Sequence, residues 1–248
     1  MALIHSFEKS GNWLFKFRGE IPVLLFLVAI PVLYFTQSEG LSHAIRQLIT
    51  IIAIALSTIG FLIRAISIGT TPKGTSGRNT KQGQVAESLN KDGIYSTLRH
   101  PLYLGNYLMW IGIVMFTFNL AFVLIVSLAF WLYYERIMFA EERFLERKFG
   151  EDYLSWANQT PAFWPSFKHY RKNTMPFSLR SVLRREYSGF LATVLGFVYI
   201  DLLRYYIETG TVEWQRSSVF ALVTAIIITL VLRSLKHYTN LLKEVDRS

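Results

Sequence analysis

Long apolar runs restrict the fold of this chain more than any other feature. They cover residues 21–35, 44–68, 101–118, 120–139, 188–206 and 217–232. A helix of about 20 apolar residues crosses a hydrocarbon core of roughly 30 Å, so runs of this kind predict membrane spans. With 52% hydrophobic and 15% aromatic residues and a mean hydropathy of +0.30, the chain is more apolar than a soluble domain of 248 residues. The predicted fold class is all-α, a polytopic membrane helix bundle of about six transmembrane helices. Pro22 and Pro31 bracket the first run, which is short. No small-residue cleavage pattern follows it, so it reads as an uncleaved span. Arg64, near the end of the second run, can snorkel to the interface.

Net charge is +9 and pI about 9.7. The basic residues gather in the N-terminal segment, in 69–100, in 141–187 and in the C-terminal tail. The opposite connectors hold Arg46, Arg216 and little else. By the positive-inside tendency both termini are expected in the cytoplasm, at the inner membrane if the source is bacterial. The basicity therefore points to topology and not to nucleic acid. No zinc-finger, Walker or GxGxxG spacing is present, and no metal site is expected. The chain has no cysteine, which excludes disulfides, thiolate ligands, a Cys nucleophile, and palmitoylation or prenylation of the protein itself. The sequence divides into two N-terminal spans (1–68), a core of polar loop, helical hairpin and amphipathic segment (69–165), and a basic linker with two further spans (166–248).

The chemistry concentrates where the polar loop enters the third run, at Gly93 to Gly105. Arg99 and His100 stand there, and Pro101 follows at a position suited to start a helix. A helix N-terminus exposes N–H groups and a partial positive charge, so this entry suits a carboxylate or phosphate. Arg99 and His100 lie about 20 residues before Asn119, and Glu141 and Glu142 about 22 after it. At about 1.5 Å per residue both pairs return to one depth, so a basic and an acidic pair face each other across a hairpin. Arg136 sits on the same helix as the glutamates. The Gly- and Ser-rich loop 69–91 is expected to lack helix, and its N–H groups with Arg78 can fold over an anion. Residues 142–156 read as an amphipathic segment broken at Gly150. Asp201 and Arg204, three apart, can pair.

The series Arg99-His100-Pro101-Leu102-Tyr103-Leu104-Gly105, Gly112, Glu141-Glu142, Leu145, Phe149-Gly150, Tyr153, Pro161 and Pro165 resembles the integral-membrane methyltransferases. That family includes isoprenylcysteine carboxyl methyltransferases and phospholipid N-methyltransferases. Ser76-Gly77-Arg78-Asn79-Thr80 is similar to a bacterial branch proposed to methylate a lipid A phosphate. The resemblance implies S-adenosylmethionine as cofactor and a cofactor site facing the cytoplasm. Tyr95, His100, Tyr103, Gly105, Glu141 and Glu142 would bind the cofactor. Arg99, Arg136 and Glu142 would be catalytic, and Arg78, Asn79, Arg99 and Arg136 would hold the acceptor. The acceptor implied is an anionic group on a membrane lipid or lipidated molecule, best a lipid A 1-phosphate, with a prenylcysteine carboxylate or a phospholipid amine as alternatives. Helix packing is the alternative role for Tyr103 and Gly105. A wet helix face, on which Glu142 and its i, i+4 neighbour Glu146 stand beside Arg143 and Lys148, is the alternative for the glutamates. An NADPH-dependent membrane reductase is the alternative from another class.

Overall fold

A computed structural model describes residues 2–19, 23–35, 40–75, 78–80, 83–244 and 246–247, with backbone alone for 78–80 and 83–85. Pro22, Ser76 and Gly77 lie outside the described residues. The helices are α1 (Leu3–Lys16), α2 (Leu24–Phe35), α3 (His43–Gly69), α4 (Pro101–Met115), α5 (Leu120–Phe149), α6 (Glu151–Ala157), α7 (Leu179–Thr209) and α8 (Arg216–Tyr238). The polar loop does not stay irregular throughout. It folds into a short antiparallel hairpin, β1 (Arg78–Thr80) on β2 (Gly83–Val85), with Asn79 opposite Gln84.

Local sequence explains the helix ends. Ser42, Asn119 and Ser178 accept hydrogen bonds from the N–H groups of Ile45, Phe122 and Ser181, capping α3, α5 and α7. Pro101 opens α4. Gly150, at φ 53°, ψ −126°, separates α5 from α6 in a region essentially reserved for glycine.

Helices α3, α5, α7 and α8 are long and apolar enough to cross a membrane, and α2 and α4 are shorter apolar helices. The 15 residues of α4 rise only about 22 Å, because the turn at Phe116 to Phe118 closes the hairpin before the run ends. α7 starts earlier than its apolar run, so Arg180, Arg184 and Arg185 are helical. Large apolar side chains such as Ile51, Leu128, Phe220 and Leu230 are exposed, as a bilayer-facing surface requires.

Small residues set the packing of α3 on α4. A Cβ on Gly105 would lie 2.5 Å from Arg64 Cγ and 2.8 Å from the Gly60 carbonyl oxygen, and one on Gly112 would strike Ser57 and Ala53. Ser57 Oγ donates to the Met109 carbonyl at 2.8 Å across this seam. α1 lies on α5, where Gly11 meets the backbone of Arg136 and the side chain of Ala140. Tyr103, Leu104, Tyr134, Ile137 and Phe163 form the core beneath the entry to α4.

Candidate active site

The entry to α4 is held by backbone pairing with the turn after α6. Arg99 N–H donates to the Pro161 carbonyl at 2.9 Å, and His100 N–H to that of Ala162 at 3.1 Å. Ser166 N–H donates to Thr97 at 2.9 Å. Trp156 Nε1 donates to the Tyr95 carbonyl at 3.1 Å, and Arg99 Nη1 to that of Ala157 at 2.9 Å. The amphipathic segment thus folds back as a bracket, packing Leu145, Tyr153 and Trp156 against Tyr95 and Ala86.

Inside the bracket the two charge pairs meet. His100 Nε2 and Glu142 Oε1 are 2.8 Å apart, and Arg99 Nε lies 3.0 Å from the same oxygen. Tyr103 O–H donates to Glu141 Oε2 at 2.9 Å, and His100 Nδ1 is 3.8 Å from that atom. The His100 ring stacks on Tyr103 with centroids 5.5 Å apart. Burial, then the charge of Glu141, pushes the Tyr95 phenol up to about 12. Burial, then the charge of Glu142, raises that of Tyr153 further.

A second charged cluster adjoins the first. Arg64 grips Glu186 with Nε and Nη2, both at 2.7 Å, and Nη1 donates to Asn106 Oδ1 at 2.6 Å. Asn106 Nδ2 donates to Tyr134 O–H at 3.2 Å. Arg64 therefore does not snorkel outward. A partner on α7, 122 positions away, draws it inward.

These groups line a cavity of about 450 Å³, together with Arg18, Asn90 and Arg185. Asn90 Nδ2 is buried and, among the described residues, has no hydrogen-bond partner. Of the residues singled out from sequence, Tyr95, Arg99, His100, Tyr103, Glu141 and Glu142 come together here. Gly105 sits instead in the α3–α4 seam, where its missing Cβ admits Arg64 and Gly60. Arg136 is also directed elsewhere. It lies about 140° around the helix from Glu141. Its Nη1 is 3.3 Å from Ser10 Oγ and its guanidinium stacks 4.6 Å from the Phe7 ring centroid. Arg78 and Asn79 belong to β1, and their side chains fall outside the described residues. Sequence reading missed Arg18, Asn90, Arg185 and Glu186, because only the tertiary fold brings a turn after α1, a loop residue and α7 to one wall.

Residues 48–152 match the phospholipid methyltransferase family model. The protein-S-isoprenylcysteine O-methyltransferase of Schizosaccharomyces pombe is 32% identical over 87 residues, covering 33% of this chain and 37% of that protein. This segment belongs to the integral-membrane methyltransferase family. The cobalt-zinc-cadmium resistance protein CzcN of Cupriavidus metallidurans is 36% identical over 120 residues, covering 48% of this chain and 49% of CzcN. The nickel-cobalt-cadmium resistance protein NccN of Alcaligenes xylosoxydans is 34% identical over 92 residues, 37% of this chain and 43% of NccN. The chain spans about half the length of the curated relatives it matches, or less. No solved structure matches it. These relatives are named for metal resistance or for isoprenylcysteine and none for lipid A, so the lipid A expectation finds no support among them. The segment matched by the family model contains all six clustered residues, whereas Arg18, Arg185 and Glu186 lie outside it.

Proposed function

We propose that this chain is an S-adenosylmethionine-dependent membrane methyltransferase that methylates an anionic group on a lipid or lipidated acceptor. The observation that carries the reading is the paired cluster of Arg99, His100 and Tyr103 with Glu141 and Glu142 at one cavity, inside the family segment. The basic loops favour a cytoplasmic mouth for that cavity.

The cavity suits the donor. Its volume lies within the usual range for small-molecule sites. It offers cations for a carboxylate, glutamates for an ammonium or ribose hydroxyls, and tyrosine faces for a sulfonium. Asn90 brings an unpaired buried donor that a polar ligand would satisfy. When bound, the donor supplies a methyl group activated by positive sulfur. The chain's own residues then have three tasks. Arg99 and His100, fixed by Glu142 and by their backbone bonds, present positive potential at the start of α4. Tyr103 fixes Glu141. Arg18 and Arg185 add cationic walls where an acceptor anion would be held and aligned. A carboxylate or phosphate is already ionised at pH 7, so no strong general base is needed. The isoprenylcysteine methyltransferases among the relatives favour a carboxylate.

Isothermal titration of the detergent-purified chain with S-adenosylhomocysteine and, separately, NADPH tests the class. Saturable binding of the first alone, lost in Glu142→Ala, is expected. Binding of NADPH alone would overturn the assignment in favour of a reductase. Incubation with methyl-tritiated donor and membranes tests the acceptor. A carboxyl methyl ester releases volatile methanol in mild base, and tritium held as an N-methyl group would refute the anionic acceptor.

A further inference from the structure

A second cavity, of about 710 Å³, lies between α3, α7 and α8. Ile54, Phe61, Phe190, Phe197, Val198 and Ala221 give it largely apolar walls. One end adjoins the candidate active site, since Thr193 lines both cavities. The other end is charged, with Asp201, Arg204 and Glu208 facing it. Arg204 follows Glu186 by 18 residues on α7, about 27 Å along the helix axis, which is close to the thickness of a hydrocarbon core. The charged end therefore sits at the membrane surface opposite the candidate active site.

The charged end is tightly constructed. The Arg204 guanidinium stacks on the rings of Phe116 and Phe118, 4.9 Å and 4.4 Å from their centroids, and donates to the Phe116 carbonyl at 3.1 Å. Phe118 has φ 57°, a left-handed conformation that bulky residues rarely adopt, and this turn sets its ring against Arg204. Asp201 accepts from Ser218 Oγ at 2.6 Å and lies 3.7 Å from Arg204. Arg46 Nη1 lies 3.3 Å from Glu208. Two arginines and two carboxylates thus form a cluster without net charge, at the end of a groove with room for a hydrocarbon chain. A cluster carrying both signs complements a headgroup carrying both signs.

We infer that this groove binds a phospholipid whose headgroup joins a phosphate to an ammonium. The phosphate meets Arg204, the ammonium meets Asp201 and Glu208, and an acyl chain lies along the Phe61, Phe190 and Phe197 wall. An uncharged groove would accept any acyl chain. A headgroup with only negative charge would bring no cation for the two carboxylates and would be repelled by them. The site is independent of the reaction proposed above.

Native mass spectrometry of the full chain, released from detergent with equimolar dioleoyl phosphatidylethanolamine and phosphatidylglycerol, tests this. The ethanolamine lipid is expected to remain bound at least fivefold over the glycerol lipid. Arg204→Gln is expected to abolish that preference. Ala221→Trp, at an exposed position of α8 that lines the groove, adds bulk to its wall and leaves all four charged side chains in place. It is expected to lower retention of the ethanolamine lipid at least fivefold, with circular dichroism and elution volume unchanged. Equal retention of both lipids by the wild-type chain, a preference kept in Arg204→Gln, or undiminished retention of the ethanolamine lipid in Ala221→Trp would overturn the site.

Discussion

Glu186→Ala isolates the bond that ties α7 to the family segment. Glu186 is 3% exposed and holds Arg64 through two contacts of 2.7 Å, while Arg64 is 19% exposed and also grips Asn106. Truncating Glu186 leaves a largely buried guanidinium with two donors unpaired. Breaking a buried pair from one side costs about 3–5 kcal/mol. For a chain of this size each kcal/mol shifts the melting temperature by about 2–4 °C, so a fall of at least about 6 °C is expected. Thermal unfolding in detergent, followed by tryptophan fluorescence, measures it. Two controls fix the cause. Glu146→Ala breaks the half-exposed Arg143 pair and should cost less than about 1 kcal/mol. The double change Arg64→Met with Glu186→Leu removes both charges and should recover most of the lost stability. A Glu186→Ala chain melting within about 2 °C of wild type would refute the claim that this pair joins α7 to α3 and α4.

Arg136→Met should leave the affinity for S-adenosylhomocysteine within about twofold, while costing about 1 kcal/mol of α1–α5 packing. A tenfold loss of affinity in calorimetry would return Arg136 to the cavity. Gly105→Ala should destabilise by about 1–3 kcal/mol in the same melting assay, since its Cβ would meet backbone of α3; unchanged melting with weakened ligand binding would instead favour a cofactor role. Tyr95 gives a pH signature. Its phenol is raised to about 12, so its contribution is intact below pH 10 and is lost as pH rises toward 12, about 1.4 kcal/mol at pH 11. Tyr95→Phe should therefore reduce the fall in melting temperature between pH 9 and 11 by about 3–6 °C, and an unaltered alkaline fall would count against the burial of this hydroxyl.

Much of the site was legible from spacing. The hairpin arithmetic about Asn119 set Arg99 and His100 against Glu141 and Glu142, and the structure brings them together although the first arm is helical only over Pro101–Met115 and a turn at Phe116 to Phe118 interrupts the even rise. Arithmetic along one helix gives depth, and facing needs the angular term as well. Arg136 stands near the glutamates in sequence yet turns to α1. Gly105 shows a related ambiguity, since a missing side chain serves a ligand and a neighbouring helix equally well. Glu186 and Arg185 lay hidden in a basic stretch whose charges all suggested topology. Only the meeting of α7 with α3 distinguishes a carboxylate that pairs from one that faces water. The span lengths also departed from the apolar runs, as the early turn after Met115 illustrates.

The glycine seam between α3 and α4 works as a ruler for the cavity. Because Gly60 and Gly105 bring two backbones together, Arg64 passes close over Gly105 of α4 to reach Glu186 and Asn106, and its length then sets how far α7 stands from α3 and α4. Adding one methyl group to the seam moves a whole wall, whereas adding one to the lining moves a single side chain. Changes in the size of acceptor a chain of this design admits are therefore expected at glycine and alanine positions between helices, beneath the surface the acceptor touches.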